Sequence, residues 1–167
     1  MGYDLYGATE RRKTTAIKTI NPANGVPCSE NLFQITGTVK IKSLLIQVTT
    51  TLGNNLTVAF FDLWDSTASV LLSANGGALS LLPAGSIVGK LSVAGSNFDV
   101  ADSSVGVAIE NATLLETFKE VVAIQKTGGA NTFIRLNYTT GGAATVGAYR
   151  ATLVFEQMSS DGNAVAV

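Results

Sequence analysis

The stretch LFQITGTVKIKSLLIQVTT, Leu32 to Thr50, constrains the fold more than any other part of the chain. Apolar and polar residues alternate through it, the pattern of a strand with one buried face. Phe33, Ile35, Val39 and Ile41 share one parity, and Leu44, Ile46 and Val48 take up the other. As one straight strand its 19 residues would span about 60 Å, far beyond the roughly 17–20 Å of an ordinary strand. One extra residue near Lys42–Ser43 flips every later side chain to the opposite face. A β-bulge does this locally, and a strand passing from one sheet of a sandwich to the other does it on a larger scale. The segment is built to turn a corner.

The rest of the chain carries the same periodicity in shorter pieces. LTVAFFDLWD follows the loop at 53–55, with Leu56, Val58, Phe60 and Trp64 on one parity, and reads as the hairpin partner of the ribbon before it. Short β segments are predicted over 70–73, 79–82, 87–91 and 105–109, separated by ANGG, PAG and AGSNFDVADSS. For residues 112–120, ATLLETFKE, a short helix and a strand both stay open. EVVAIQK then leads to TFIRLNYTT, where Ile134, Leu136 and Tyr138 point inward and Arg135 and Asn137 outward. In AYRATLVFEQM, Tyr149, Ala151, Leu153 and Phe155 share a face against Arg150, Thr152 and Glu156. The glycine pairs at 76–77, 128–129 and 141–142 read as hairpin turns. Such spacing predicts an all-β chain, an antiparallel β-sandwich or jelly roll with an extended N-terminal arm.

Two regions follow. Residues 1–30 form an arm and linker, with the basic cluster Glu10-Arg11-Arg12-Lys13, a β-capable run from Thr14 to Ile20 that offers one edge strand, and the turn-rich NPANGVP. Residues 31–167 form the sandwich, ending in a short mobile tail, SSDGNAVAV. The arm is expected to contact another chain rather than its own sandwich, through Arg11, Arg12, Lys13 and Lys18, because a basic stub on a slightly acidic body docks on an acidic neighbour. A solvated charge run is the plainer reading of the same residues.

Chemistry is narrowed by what the chain lacks. It contains no histidine, which removes Ser-His-Asp and Cys-His arrangements and the commonest general base. Asp62 and Asp65 flank Trp64 but differ by an odd number, so a regular strand sends them to opposite sides; neither that pair nor Asp99 and Asp102 has the spacing of a glycosidase or calcium site. No catalytic residue, metal or cofactor is expected. Cys28 is the only cysteine, so no disulfide forms within the chain, and it reads as inert. The net charge of −1 gives no field to gather nucleic acid. No apolar run approaches the roughly 20 residues that cross a bilayer, and MGYDLYGATERRK lacks a signal peptide's apolar core. Charged residues are only 14% of the chain, against about 25% in typical domains. Its surface is therefore largely Ser, Thr, Asn, Gly and Ala, which solvate weakly and are easily covered by a partner.

Laid end to end, LFQITGTVKIKSLLIQVTT, NNLTVAFFD, LPAGSIVGKL and GGANTFIRLNYTTGGAATVGAYRATLVFEQMSSDGNAVAV resemble a group of tailed-bacteriophage virion proteins, over residues 30–167. ATLLETFKEVVAIQK and the basic arm have no counterpart there. The resemblance implies a non-enzymatic structural component of the particle, a capsid decoration or cement protein. It implies synthesis in the host cytoplasm, a place on the virion's capsid surface, and the major capsid protein or another virion protein as partner. Dimeric or trimeric copies suit that role, with no nucleic acid and no membrane as partner. A tail, neck or fibre-associated protein is the nearest alternative. A carbohydrate-binding sandwich is a third, with Trp64, Tyr138 or Tyr149 stacking on sugar, although all three fit a core-facing parity.

Overall fold

A computed structural model describes residues 11–20, 27–53, 56–73, 79–90, 99–101, 121–126, 131–140 and 146–167. They form eleven strands: β1 (Arg11–Thr19), β2 (Pro27–Thr36), β3 (Thr38–Thr50), β4 (Leu56–Trp64), β5 (Ser69–Leu71), β6 (Ile87–Lys90), β7 (Asp99–Ala101), β8 (Val121–Ile124), β9 (Thr132–Thr140), β10 (Ala148–Gln157) and β11 (Asn163–Ala166). The first sheet runs β1-β10-β3-β6-β7, with β8 also paired to β3; the second runs β11-β2-β9-β4-β5. Every pairing is antiparallel. The inner faces close on one apolar core, in which Phe33, Ile35, Phe61, Ile134 and Leu136 of the second sheet meet Val39, Ile46, Ala151 and Leu153 of the first. Burying each of the large side chains contributes roughly 1.5–3 kcal/mol. The all-β sandwich is as the periodicity predicts.

Of the two alternatives offered for the parity change near Lys42–Ser43, the bulge is the one found there, and a change of sheet occurs earlier in the ribbon. The chain leaves the second sheet at Gly37, whose φ of 55° lies in the left-handed region, and enters the first as β3. A Cβ at Gly37 would collide with the Ser159 and Asp161 side chains, so glycine is required for both space and conformation. Further along, Ile41 faces Phe155 and Ser43 faces Val154, which leaves Lys42 as the bulged extra residue. The bulge lets Ile41 and Leu44 both reach the core.

The same corner is turned a second time by the end of the chain. β10 pairs with β3 in the first sheet and β11 pairs with β2 in the second, so residues 158–162 bend over Gly37. The amides of Met158 and Ser159 donate to the Thr38 carbonyl at 2.9 and 3.3 Å. The Thr38 amide donates to Ser159 Oγ at 2.7 Å. Residues 163–166, expected in a mobile tail, are thus strand β11, because Ala164 fills a core position opposite Ile35.

Other expectations need correction. The supposed hairpin of β3 and β4 does not form: the two strands lie in different sheets, and Leu52 between them is buried and bonded to the Leu82 carbonyl. The parity read over Leu56–Trp64 fails at a register shift between Thr57 and Phe60, where Val58 has a φ of 54°. Past it, Ala59, Phe61 and Leu63 face the core while Phe60, Asp62 and Trp64 face out. The glycine pairs at 128–129 and 141–142 lie outside the described residues, as do the segments 105–109 and 112–120. The strands before and after those two pairs belong to different sheets and so are not hairpin partners.

Residues 11–19 do not reach away from the domain. β1 pairs with β10 along its whole length, from Arg11 opposite Glu156 to Thr19 opposite Ala148, and buries Ala16 and Ile20. This corrects the expectation that the arm avoids its own sandwich: Thr14, Ala16 and Ile20 share one parity, enough to zip a strand on. Residues 1–10 and 21–26 lie outside the described residues.

Candidate functional site

The pairing order β1-β10-β3 gathers basic residues from three distant parts of the chain onto one face. In β1 the even positions turn toward the space between the sheets and the odd ones outward, so Arg11 and Lys13 stand on the outer face of the first sheet. In β10 the core takes Tyr149, Ala151, Leu153 and Phe155, leaving Arg150 and Glu156 outside. In β3, Lys40 lies between buried Val39 and Ile41 and pairs in register with Glu156. The bulged Lys42 reaches the same carboxylate: its Nζ is 3.5 Å from Glu156 Oε1, as is Arg11 Nε. Among the described residues, Arg11, Lys13, Lys40, Lys42 and Arg150 thus share a face with one acid, Glu156.

This imbalance is large for the chain. The whole chain carries 11 basic and 12 acidic residues. Among the described residues this sheet face is basic, and such a face orients an approaching acidic partner. The one Glu156 carboxylate offsets one of these five charges. Its pair with Arg11, whose side chain is 71% exposed, is open to solvent screening, whereas its pair with Lys42 is partly buried.

Of the four residues singled out from the sequence, Arg11 and Lys13 join this face. Arg12 and Lys18 have the inward parity: Lys18 sits opposite Tyr149, and Arg12 sits opposite Phe155. Arg11, Arg12, Lys13 and Thr14 line one wall of a groove of about 720 Å³ between the edge strands β1 and β11; Asn163, Ala164 and Val165 line the other, and Phe155 contributes from between. Lys40, Lys42 and Arg150 were not singled out. Their outward positions in alternating strands are readable, but their adjacency depends on which strands pair.

Two further polar clusters are structural. On the outer face of the second sheet, Arg135 Nε and Nη2 donate to the two oxygens of Asp62 at 3.0 and 2.5 Å. The guanidinium carbon lies 4.4 Å from the Trp64 ring centroid, and Phe133 stacks beside that ring at 6.1 Å. Asp65 is engaged separately: its Oδ1 accepts from the Thr67 and Ala68 amides, and its Oδ2 is 3.2 Å from Lys126 Nζ. The backbone amides hold its carboxyl below the usual range. Asp62 and Asp65 therefore serve two different contacts and do not act as a pair.

Between the sheets, Glu30 of β2 accepts hydrogen bonds from Tyr138 Oη of β9 and Tyr149 Oη of β10, one on each carboxylate oxygen. Burial, together with the Glu30 charge, pushes the Tyr149 hydroxyl well above its ordinary pKa. Both tyrosines are sealed in the core, which removes two of the three aromatics considered for stacking on sugar. Trp64 does face outward, against expectation, but beneath a guanidinium. Cys28, beside this cluster, is buried and unoxidised; burial and Glu30 push its thiol pKa up.

No protein-family model, curated protein or solved structure matches this chain.

Proposed function

We propose that the chain is a non-enzymatic structural protein of a tailed-bacteriophage virion that decorates and cements the capsid. The observation that carries this reading is the gathering of Arg11, Lys13, Lys40, Lys42 and Arg150 around Glu156 on the outer face of the first sheet, among the described residues. That face is a platform built from three adjacent strands, on a chain of which only 14% of residues are charged. A platform of this kind suits attachment across neighbouring acidic subunits, where each copy adds modest affinity and a repeating lattice multiplies it. The resemblance of residues 30–167 to virion proteins supplies the particle, and the platform supplies the means of attachment.

The test uses undecorated heads assembled from the major capsid protein encoded with this chain. The intact protein is expected to co-sediment with heads, to raise their resistance to heat, and to release as salt is raised. The double variant Lys40→Glu/Arg150→Glu should bind at least tenfold more weakly at low salt. Equal binding by that variant overturns the platform, and no binding by the intact chain overturns the decoration reading.

A further inference from the structure

β1 and β11 are the end strands of opposite sheets, and their open edges flank one groove. Among the described residues, β1 has β10 on one side and no strand on the other; β11 has β2 alone. Each open edge offers a row of backbone N–H and C=O groups that a further strand can pair with. β1 is the longest such edge, nine residues and about 30 Å.

Its side chains state which strand that is. Arg11 and Lys13 lie on the outer face and Arg12 on the groove face, so three consecutive cations surround the edge from both sides. Thr15 and Ile17 follow, and Ile17 is 71% exposed. A second copy of β1 fits badly along its full length. Antiparallel pairing centred on Thr15 sets Arg12 against Lys18 twice, shifting toward the N-terminal end sets Arg11, Arg12 and Lys13 against one another, and parallel pairing in register stacks every cation on its twin. Like charges directly opposite each other destabilise a sheet.

We propose that β1 is a docking edge for an extended acidic segment of a partner protein, added as a further strand along Arg11–Ile17. Carboxylates of the segment sit opposite Arg11, Arg12 and Lys13, and an apolar residue sits beside Ile17. Groove-facing side chains of the added strand enter the space between β1 and β11. The inference deepens the decoration reading and rests on it for the source of the segment, which is the acidic capsid surface met by the neighbouring sheet face.

The experiment uses the full chain, isotopically labelled, and an end-blocked nine-residue peptide of three glutamates followed by alternating valine and threonine, made in both sequence directions. One direction is expected to bind, shifting the backbone amides of residues 11–17 and 163–166. Methylating alternate peptide nitrogens, which keeps charge but removes ladder donors, should weaken binding at least tenfold. So should Arg12→Glu/Lys13→Glu, with Arg12→Gln/Lys13→Gln as the gentler variant, each checked for an unchanged melting temperature. Equal binding by the methylated peptide, by a lysine peptide, or by a nine-nucleotide single-stranded DNA overturns the inference. Absence of peptide binding also overturns it, and leaves the cations as protection of a bare edge. The decoration reading is judged separately, by head binding of the Lys40→Glu/Arg150→Glu variant, whose substitutions lie off this edge.

Discussion

Replacing Tyr149 by phenylalanine isolates one bond that joins the two sheets. The ring of Tyr149 is in the core, with 1% of the residue exposed, so phenylalanine keeps the packing. What is lost is the hydroxyl donated to Glu30 across the sandwich, while Tyr138 continues to occupy the other carboxylate oxygen. A hydrogen bond to a charged group contributes about 1.5–3 kcal/mol. We therefore expect Tyr149→Phe to destabilise the fold by about 2 kcal/mol, equivalent to roughly 4–8 °C in Tm for a chain of this length. Urea titration is the assay, with an unchanged slope and a lower midpoint. A second signature lies in the alkaline limb. The folded-state pKa of Tyr149 lies well above the ordinary 10.0, so above pH 10 the folded chain holds a proton that the unfolded chain has released. Its contribution is complete below pH 10 and is lost as pH rises toward the folded-state pKa. Tyr149→Phe should lack that component and lose stability less steeply above pH 10. A loss under about 0.5 kcal/mol, together with an alkaline limb matching the parent's, would refute the assignment of Glu30 and Tyr149 as an inter-sheet clamp.

Other substitutions probe other links. Gly37→Ala forces a side chain into a left-handed φ of 55° and against Ser159 and Asp161; a loss of about 2–3 kcal/mol is expected by thermal melting. Asp62→Ala leaves the Arg135 guanidinium uncompensated beside Trp64, at about 3 kcal/mol. Trp64 is the only tryptophan, so the same variant should shift the native fluorescence spectrum; an unshifted spectrum would count against the contact. The Cys28 thiol is buried with its pKa pushed up, and a disulfide reagent at pH 8 should modify it only as fast as the protein unfolds.

The class of fold was legible because strand periodicity is local. The parity change near Ser43 pointed to the Lys42 bulge, and the inward sets of β9 and β10 followed from strict alternation. Partner choice was not legible, since it depends on residues far apart. Ribbon and LTVAFFDLWD looked like a hairpin because a short Gly-Asn stretch separates them, yet the two strands lie in different sheets. The parity of β4 was misread because a β-branched residue, Val58, occupies a left-handed φ that sequence rules reserve for glycine or asparagine. For the candidate site, the β1 cations stood out as a run. Lys40 and Arg150 became their neighbours only once β10 was known to lie between β1 and β3.

That position of β10 governs the order in which the molecule can assemble. β1 leaves the ribosome roughly 130 residues before the strand it pairs with, and β3 waits nearly as long for the same neighbour. At translation rates of about 5–20 residues per second, the delay is on the order of ten seconds. Throughout it β1 has no strand to pair with, while β3 has only β6 and β8 beside it and the second sheet beneath. Closure of the first sheet therefore waits on β10 and comes late and nearly all at once. A chain cut just before Ala148 should emerge not as a smaller sandwich but as an aggregate.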